Sequence, residues 1–451
     1  MTYALMDNAT LTAVQRATGV VTVKNTDTIN GDLCAVENFL QGTLFYDDLL
    51  CIDNYKEEHR ESRKEQFPYL RFLSPNEYEL ERIDEVAKRE AALIRPEIRG
   101  GEFVDDDFKE LLEQLKMNMI CTWDKSSSVY YLTMKMLGQP NTDEYGKYSS
   151  LSAAIFSELA DVGDTRGRWS KAVKLVGSDG HEFTEDDFSR KESGDYGGAT
   201  RQLEMFVASL NWLAYKSIYY STAAKHLKAD SFIHPIRHAY QVHWMKKTGA
   251  FGHDFTARLL SNLANKTKTS ISDIQSHGAT QTVALDLPIF SAWLTQESGS
   301  VGAAIEAARE IRNRDHFVTI RESLKAIKIA FDEQGVSSGN KLTTNLLGDI
   351  EKICGDLKRE YGVPSAQGIQ GSFLIKALNF ITGFAGIPGL PERDFALSTP
   401  EFLKSKATKA YATVVKDITA ELTAIERLGG VRDLMARSFV IEDKNAVRPK
   451  V

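Results

Sequence analysis

The chain has 451 residues, a formal net charge of −7, and ordinary hydrophobic (42%) and charged (26%) fractions, which are typical of a folded globular protein and exclude a fibrous or disordered one. The acidic balance argues against bulk binding to nucleic acid or anionic lipid, and no apolar run reaches the ~18 residues of a membrane-spanning helix. Because Cys34, Cys51, Cys121 and Cys354 are dispersed, we expect no disulfide framework, no cysteine-rich zinc site and a soluble cytoplasmic protein.

The first part of the chain, residues 1–125, is predicted to be mixed α/β. Apolar residues spaced three to four apart predict a helix over Gly31–Tyr46 with one buried face. Further helices are predicted after Pro75 and from Asp105. Short β-prone runs predict strands at Val20–Val23, Leu49–Ile52 and Leu70–Leu73.

Acidic residues flank the second of these β-prone runs. Asp47 and Asp48 precede it and Asp53 follows it. Carboxylates at strand ends are a common catalytic placement, and they are equally ordinary as solubilising residues. The sequence leaves both interpretations open.

The central part, residues 126–284, is predicted to be helical with a small hairpin. A long helix from about Ala199 to Leu227 carries a continuous apolar stripe. The hairpin is predicted at Ala172–Phe183, because Gly and Asp residues at its centre tolerate a tight turn. Shorter helices are predicted at Ser127–Leu137 and Leu151–Leu159.

The C-terminal part, residues 285–440, is predicted to be all helical, and a polar tail follows at 441–451. Glycine and proline separate its apolar periodic segments. The predicted helices are Ser300–Phe331, Leu342–Tyr361, Gln367–Phe384 and Pro400–Leu428. The predicted class is therefore α+β and predominantly helical, with a mixed N-terminal part and an all-helical C-terminal half.

A basic, histidine-rich stretch from Lys225 to Lys268 departs most from the rest of the chain. It holds eight basic and two acidic residues, a local net charge of +6, and five of the nine histidines. Cations attract phosphates and aromatic rings stack on unpaired bases, so nucleic acid is one candidate partner. The alternative is a solvated face that pairs with acidic surfaces. The candidate nucleic-acid-binding residues are Lys225, Lys228, Lys246, Lys247, Tyr240 and Trp244.

Two arginine–histidine pairs are candidate catalytic groups. Five residues separate Arg237 from His243, and six separate Arg309 from His316. Both spacings resemble the R-x4-6-H motif of HEPN ribonucleases, which are helical proteins. The resemblance is limited to these pairs, and it implies that the arginine and histidine act together on RNA phosphodiesters.

Metal binding is not predicted. His234 and His238 are four residues apart, but Pro235 places His234 at or before the start of a helix, and no third ligand is evident. Two functional hypotheses follow: a binding or interaction component whose partner is nucleic acid or protein, or a metal-independent, ribonuclease-like helical hydrolase acting on nucleic acid or nucleotides through residues 225–268. The sequence leaves both the cofactor and the oligomeric state open.

Overall fold

The computed structural model describes eleven segments of the chain. Most of the described residues are helical, and a small parallel sheet lies in the N-terminal region. This confirms an α+β, predominantly helical fold. The segments are 1–23, 26–78, 80–93, 97–99, 174–176, 197–247, 282–287, 289–360, 371–378, 411–416 and 428–442.

The described elements are numbered here in chain order. The helices are α1 (Asn8–Ala17), α2 (Ile29–Phe45), α3 (Glu57–Gln66), α4 (Leu80–Leu93), α5 (Gly197–His226), α6 (Pro235–Lys247), α7 (Phe290–Ser298), α8 (Val301–Ile311), α9 (Asp315–Glu360) and α10 (Gly430–Ala436). The strands are β1 (Tyr3–Met6), β2 (Asp48–Ile52), β3 (Leu70–Leu73), β4 (Glu97–Arg99), β5 (Lys174–Val176), β6 (Ala229–Phe232), β7 (Thr282–Leu287), β8 (Gly371–Leu378) and β9 (Tyr411–Lys416).

The principal sheet has four parallel strands in the order β3-β2-β1-β6. Parallel neighbours need crossover connections, which α1 and α2 supply between β1 and β2, and α3 supplies between β2 and β3. The chain then returns to add β6 on the other side of β1. All four strands therefore end at one border, called here the carboxyl edge, and the strand order reverses between β1 and β6.

One face of this sheet is covered by α2. Ala4 and Met6 of β1 belong to the same buried cluster as the apolar residues of α2, as the alternation of side chains along a strand requires. Gly42 permits the close approach, because a Cβ at that position would overlap the Met6 side chain. The other face is covered by α5, which packs on β1 and β6 and also contacts α4 and α6.

The C-terminal helices extend the core on the α2 side. Phe45 of α2 lies 5.4 Å from Phe290 of α7 and 6.1 Å from Phe317 of α9, measured between ring centroids. The two ends of α9 also meet, with His316 Nε2 3.7 Å from Glu360 Oε2. A straight helix of 46 residues would hold its ends roughly 70 Å apart, so α9 folds back on itself.

Several sequence predictions are confirmed in the described residues. Strands β2 and β3 coincide with the predicted runs, and α5 coincides with the predicted long helix. The predicted helix Ser300–Phe331 is broken at residues 312–314, between α8 and α9. The run Val20–Val23 forms no strand and makes only a single bridge, from Val23 to Ile441.

The all-helical prediction for the C-terminal half is wrong. Strands β7, β8 and β9 form an antiparallel sheet in that order, and β8 and β9 lie inside segments predicted as helices. Short apolar runs such as GSFLIKAL satisfy the helical and strand periods equally well. The β-branched residues of YATVVK favour the strand, and pairing with a neighbour decides it.

The predicted helices at 127–137 and 151–159 lie outside the described residues. So does most of the predicted hairpin at 172–183, of which β5 is described and pairs in parallel with β4. The boundary predicted near residue 125 is likewise outside, and β7 crosses the one predicted near 284. Among the helices that the structure describes, none combines the length and apolar character needed to cross a membrane.

Candidate ligand-binding site

A cavity of about 160 Å³ opens at the carboxyl edge of the parallel sheet. Its walls come from the residues that follow β1, β2 and β6, together with one face of α5. In open α/β sheets, ligands bind outside the carboxyl ends of the strands, where the strand order reverses. The described residues that line the cavity are Asn8, Asn54, Tyr55, Lys56, Trp212, Lys216, Tyr220 and Arg237.

Arg237 is held at the cavity by Asp7. Its Nη1 lies 3.1 Å from Asp7 Oδ2, and both side chains are buried. The Asp7 carboxylate also accepts the backbone N–H groups of Thr10 at the start of α1 and His234 before α6. One carboxylate thus ties together the two helices that begin after β1 and β6, and it fixes the guanidinium between them.

A hydrogen-bonded network of Asn8, Asn54 and Tyr220 forms the floor of the cavity. Asn8 Nδ2 donates to Asn54 Oδ1 at 2.7 Å, to Tyr220 Oη at 3.1 Å and to the Ile52 carbonyl at 3.2 Å. Tyr220 Oη donates in turn to Asn54 Oδ1 at 3.2 Å. Burial raises the pKa of Tyr220 well above its ordinary value, so the hydroxyl keeps its proton.

The buried guanidinium of Arg63, on α3, orients this network through hydrogen bonds to Asn8. Its Nη1 donates to the Asn8 carbonyl and to Asn8 Oδ1, at 3.1 and 2.9 Å. Its Nη2 donates to Thr12 Oγ1 and Gln15 Oε1 of α1. The guanidinium carbon also lies 3.4 Å from the centre of the Tyr55 ring, whose side chain lines the cavity. These four hydrogen bonds go to neutral acceptors, and they fix the Asn8 amide in one orientation.

The α5 wall is aromatic and carries a cation. Lys216 Nζ lies 4.6 Å from the Trp212 ring centre and 4.9 Å from that of Tyr215. Such contacts attract an ammonium to the ring faces. Tyr215 is itself fixed by a hydrogen bond to Asp84 of α4. Although Lys216 is only 8% exposed, it contributes to the cavity lining.

Three helices begin at this cavity. Asn8 is the first residue of α1, Lys56 immediately precedes α3, and Arg237 is in the first turn of α6. A helix N-terminus carries a partial positive charge and unpaired N–H groups. Asp7 caps α1, and Glu57 and Glu58 lie in the first turn of α3, so carboxylates offset these partial charges. The positive side chains that line the cavity are Lys56, Lys216 and Arg237.

Of the predicted catalytic residues, the structure places only Arg237 at the cavity. The His243 side chain lies outside the described residues. Arg309, on α8, pairs with Glu306 at 2.9 Å and lies over the Tyr69 ring. His316, on α9, lies beside Glu360. Neither Arg309 nor His316 is among the described residues that line the cavity.

The predicted nucleic-acid-binding residues occupy varied environments. Tyr240 and Trp244 are buried, at 0% and 1% exposure, and contribute to the core. Lys228 is exposed in the turn before β6, at the opposite border of the sheet from the cavity. Lys225 is half-buried, and burial lowers its pKa to about 7. The side chains of Lys246 and Lys247 lie outside the described residues.

Four lining residues were not among those predicted from the sequence: Asn8, Asn54, Lys56 and Lys216. Asn8 follows β1, which was not predicted, so its position at a strand end was hidden. Asn54 and Lys56 follow the predicted strand β2 directly, and polar residues at that position were an available signal. Lys216 lies on a predicted helix but away from its apolar stripe, where a solvated lysine is expected, so periodicity gave no signal for it.

No group of three or more His, Cys, Asp and Glu side chains in the described segments is arranged to hold a metal ion. Comparisons with protein-family models, with curated proteins and with solved structures find no match.

Proposed function

We propose that the protein is a binding component that takes a small anionic ligand in the cavity at the carboxyl edge. One observation carries the proposal. Among the described residues that line the cavity, three are cationic and none is a carboxylate, in a chain whose net charge is −7. A site of this composition favours an anion and disfavours a cation.

Burial strengthens the attraction between these cations and an anion. Lys216 and Arg237 are shielded from water, at 8% and 1% exposure. Opposite charges about 4 Å apart attract by about 4 kcal/mol at an effective dielectric constant near 20, against about 1 kcal/mol in bulk water. Asp7 offsets part of the Arg237 charge, and Lys56 and Lys216 add two further ammonium groups to the lining.

The alternative function is a ribonuclease-like hydrolase that acts on nucleic acid or nucleotides. The position of Arg237 at the cavity supports it, because a guanidinium beside a phosphate stabilises developing negative charge. The burial of Tyr240 and Trp244 removes two of the stacking surfaces expected for such a substrate. Anion binding is therefore the function that the geometry supports best.

Removal of the Lys56 charge tests the proposal. Lys56→Gln should weaken binding of small anions, such as inorganic phosphate, about three- to tenfold in isothermal titration calorimetry at low salt, because the ammonium borders the cavity. Added salt should weaken binding further.

Lys64→Gln is the matched control on α3. Lys64 pairs with Asp53 and Glu61 and is not among the described residues that line the cavity, so its removal takes away the same charge and should change affinity less than twofold. If Lys56→Gln and Lys64→Gln weaken anion binding equally, the effect is one of overall charge and the cavity is not the binding site. A lack of anion binding by the unmodified protein would refute the proposal.

A further inference from the structure

The polar oxygens at the cavity floor are already engaged within the protein. Asn8 Oδ1 accepts from Arg63 Nη1, and Asn54 Oδ1 accepts from both Asn8 Nδ2 and Tyr220 Oη. A side-chain amide whose oxygen is occupied twice can turn only its NH₂ group to a further partner. Asn54 lines the cavity, and its NH₂ group carries two hydrogens.

The cavity therefore offers donors and few acceptors. Its donor groups are the Arg237 guanidinium, the ammonium groups of Lys56 and Lys216, and the amide NH₂ of Asn54. Arg63 maintains this pattern, because its hydrogen bonds to the Asn8 carbonyl and Oδ1 prevent the Asn8 amide from rotating. A ligand that must itself donate, such as an ammonium group or a protonated acid, finds little to bind there.

We propose that the ligand group bound in this cavity is the dianionic phosphate of a phosphate monoester. The proposal rests on the proposed anion-binding function and specifies its ligand. The donors project from three separate parts of the fold, namely the loop after β2, α5 and α6. That arrangement suits three oxygens in a tetrahedral group better than the two oxygens of a planar carboxylate, and a double charge matches the cationic lining.

The size of the cavity agrees with this assignment. A volume of about 160 Å³ is close to that of an engineered cavity of about 150 Å³ that accommodates benzene. It has room for a phosphate group and a few further atoms, and it is too small for a whole nucleotide, because cavities that enclose drug-sized ligands measure roughly 300–1,000 Å³. The remainder of a larger ester would extend outside.

Three small anions of similar size test the proposal: methyl phosphate, methyl sulfate and acetate. Near pH 8 methyl phosphate is a dianion, because the second pKa of a phosphate monoester is about 6. Methyl sulfate has the same tetrahedral shape with a single charge, and acetate is planar. In calorimetric titrations of the full chain, we expect methyl phosphate to bind at least tenfold more tightly than either of the others.

Asn54→Asp provides the second arm of the experiment. The substitution keeps the side-chain shape and the acceptor oxygen for Asn8, but it replaces the donor NH₂ with a charged oxygen at the cavity. We expect at least a tenfold loss of methyl phosphate affinity. Asn76→Asp, at an exposed position in the loop after β3, adds the same charge at the same edge of the sheet and should change affinity less than twofold.

The outcomes separate this inference from the function on which it rests. If acetate binds as tightly as methyl phosphate, the cavity is an anion site and the phosphate assignment is overturned. If methyl sulfate matches methyl phosphate, the assignment to a dianion is overturned. Unchanged affinity in a folded Asn54→Asp variant would overturn the role of the donor lining, and absence of binding by all three anions would overturn both proposals.

Discussion

At the residue scale, buried polar side chains position the candidate site of this protein. Asp7, Arg63 and Arg237 are each at most 2% exposed, and all three form hydrogen bonds that position the cavity. Burial of charge is costly unless each group is paired or hydrogen-bonded. The chain places these costly groups next to the candidate site, where they hold the lining in one arrangement.

Glu90 makes the stability depend on pH. It is 1% exposed on α4, and burial raises the pKa of its carboxyl from 4.5 to about 7 against the opposing charge of Arg89. Between those two values the folded chain retains a proton that the unfolded chain releases. Stability is therefore highest below about pH 4.5 with respect to this group, falls as the pH rises to about 7, and levels off above it.

Glu90→Gln should remove this loss of stability. The variant should be about 3 kcal/mol more stable than the unmodified protein at pH 8, since one pKa unit corresponds to about 1.4 kcal/mol, and similar to it near pH 4.5. Urea denaturation across this range measures the difference. Glu85→Gln, at an exposed position of the same helix, is the control. If the stability of Glu90→Gln falls with rising pH as steeply as that of the unmodified protein, the expectation is contradicted.

At the scale of the element, α7 depends on a residue from another helix. Ile289 precedes α7 and has no side chain that can accept a hydrogen bond. Glu37 of α2 supplies the cap, because its carboxylate accepts the backbone N–H groups of Phe290 at 3.1 Å and Ser291 at 2.7 Å. The carboxylate also accepts Gln41 Nε2. The helix start and the packing of α2 are therefore coupled.

Glu37→Ala should lower the free energy of unfolding by about 2–4 kcal/mol, because two buried N–H groups lose their acceptor. Glu37→Gln retains one acceptor oxygen, and its loss should be smaller. Thermal or urea denaturation followed by circular dichroism measures both. Glu297→Ala, at an exposed position on α7, should change stability by less than about 0.5 kcal/mol. If Glu37→Ala lowers the free energy of unfolding no more than this control, the capping role is refuted.

At the scale of the whole molecule, residues far apart in sequence share one core. Strand β6 pairs with β1 across more than two hundred residues, and Phe45 packs between Phe290 and Phe317. The principal sheet and the C-terminal helices of the described part are thus built around the same buried cluster. They should gain and lose their packing together.

Phe45→Ala tests this coupling. Loss of a buried aromatic ring costs about 3–5 kcal/mol, and hydrogen exchange followed by mass spectrometry should show faster exchange in both α2 and α9. Val318→Ala, at an exposed position of α9, should leave both unchanged. Faster exchange confined to α2 would show that the two regions unfold independently.

The sequence by itself determined the elements whose patterns are local. The apolar spacing of Leu33, Val36, Phe39, Leu40 and Leu44 predicted α2, and all five residues are buried. The β-branched and apolar runs predicted β2 and β3, and a continuous stripe predicted α5. These elements could be predicted because the apolar spacing of a helix or strand repeats within a single segment of the chain.

Only the tertiary structure decided the rest. The form of strands β1, β6, β8 and β9 depends on a hydrogen-bonded neighbour that sequence periodicity does not reveal. The cavity joins Asn8, Asn54, Lys216 and Arg237 from four separate segments, which only the parallel sheet brings to one edge. Arg237 alone was identified beforehand, and for a different reason. Which of these segments meet at one edge depends on the strand order, and the spacing of residues along the chain carries no information about that order.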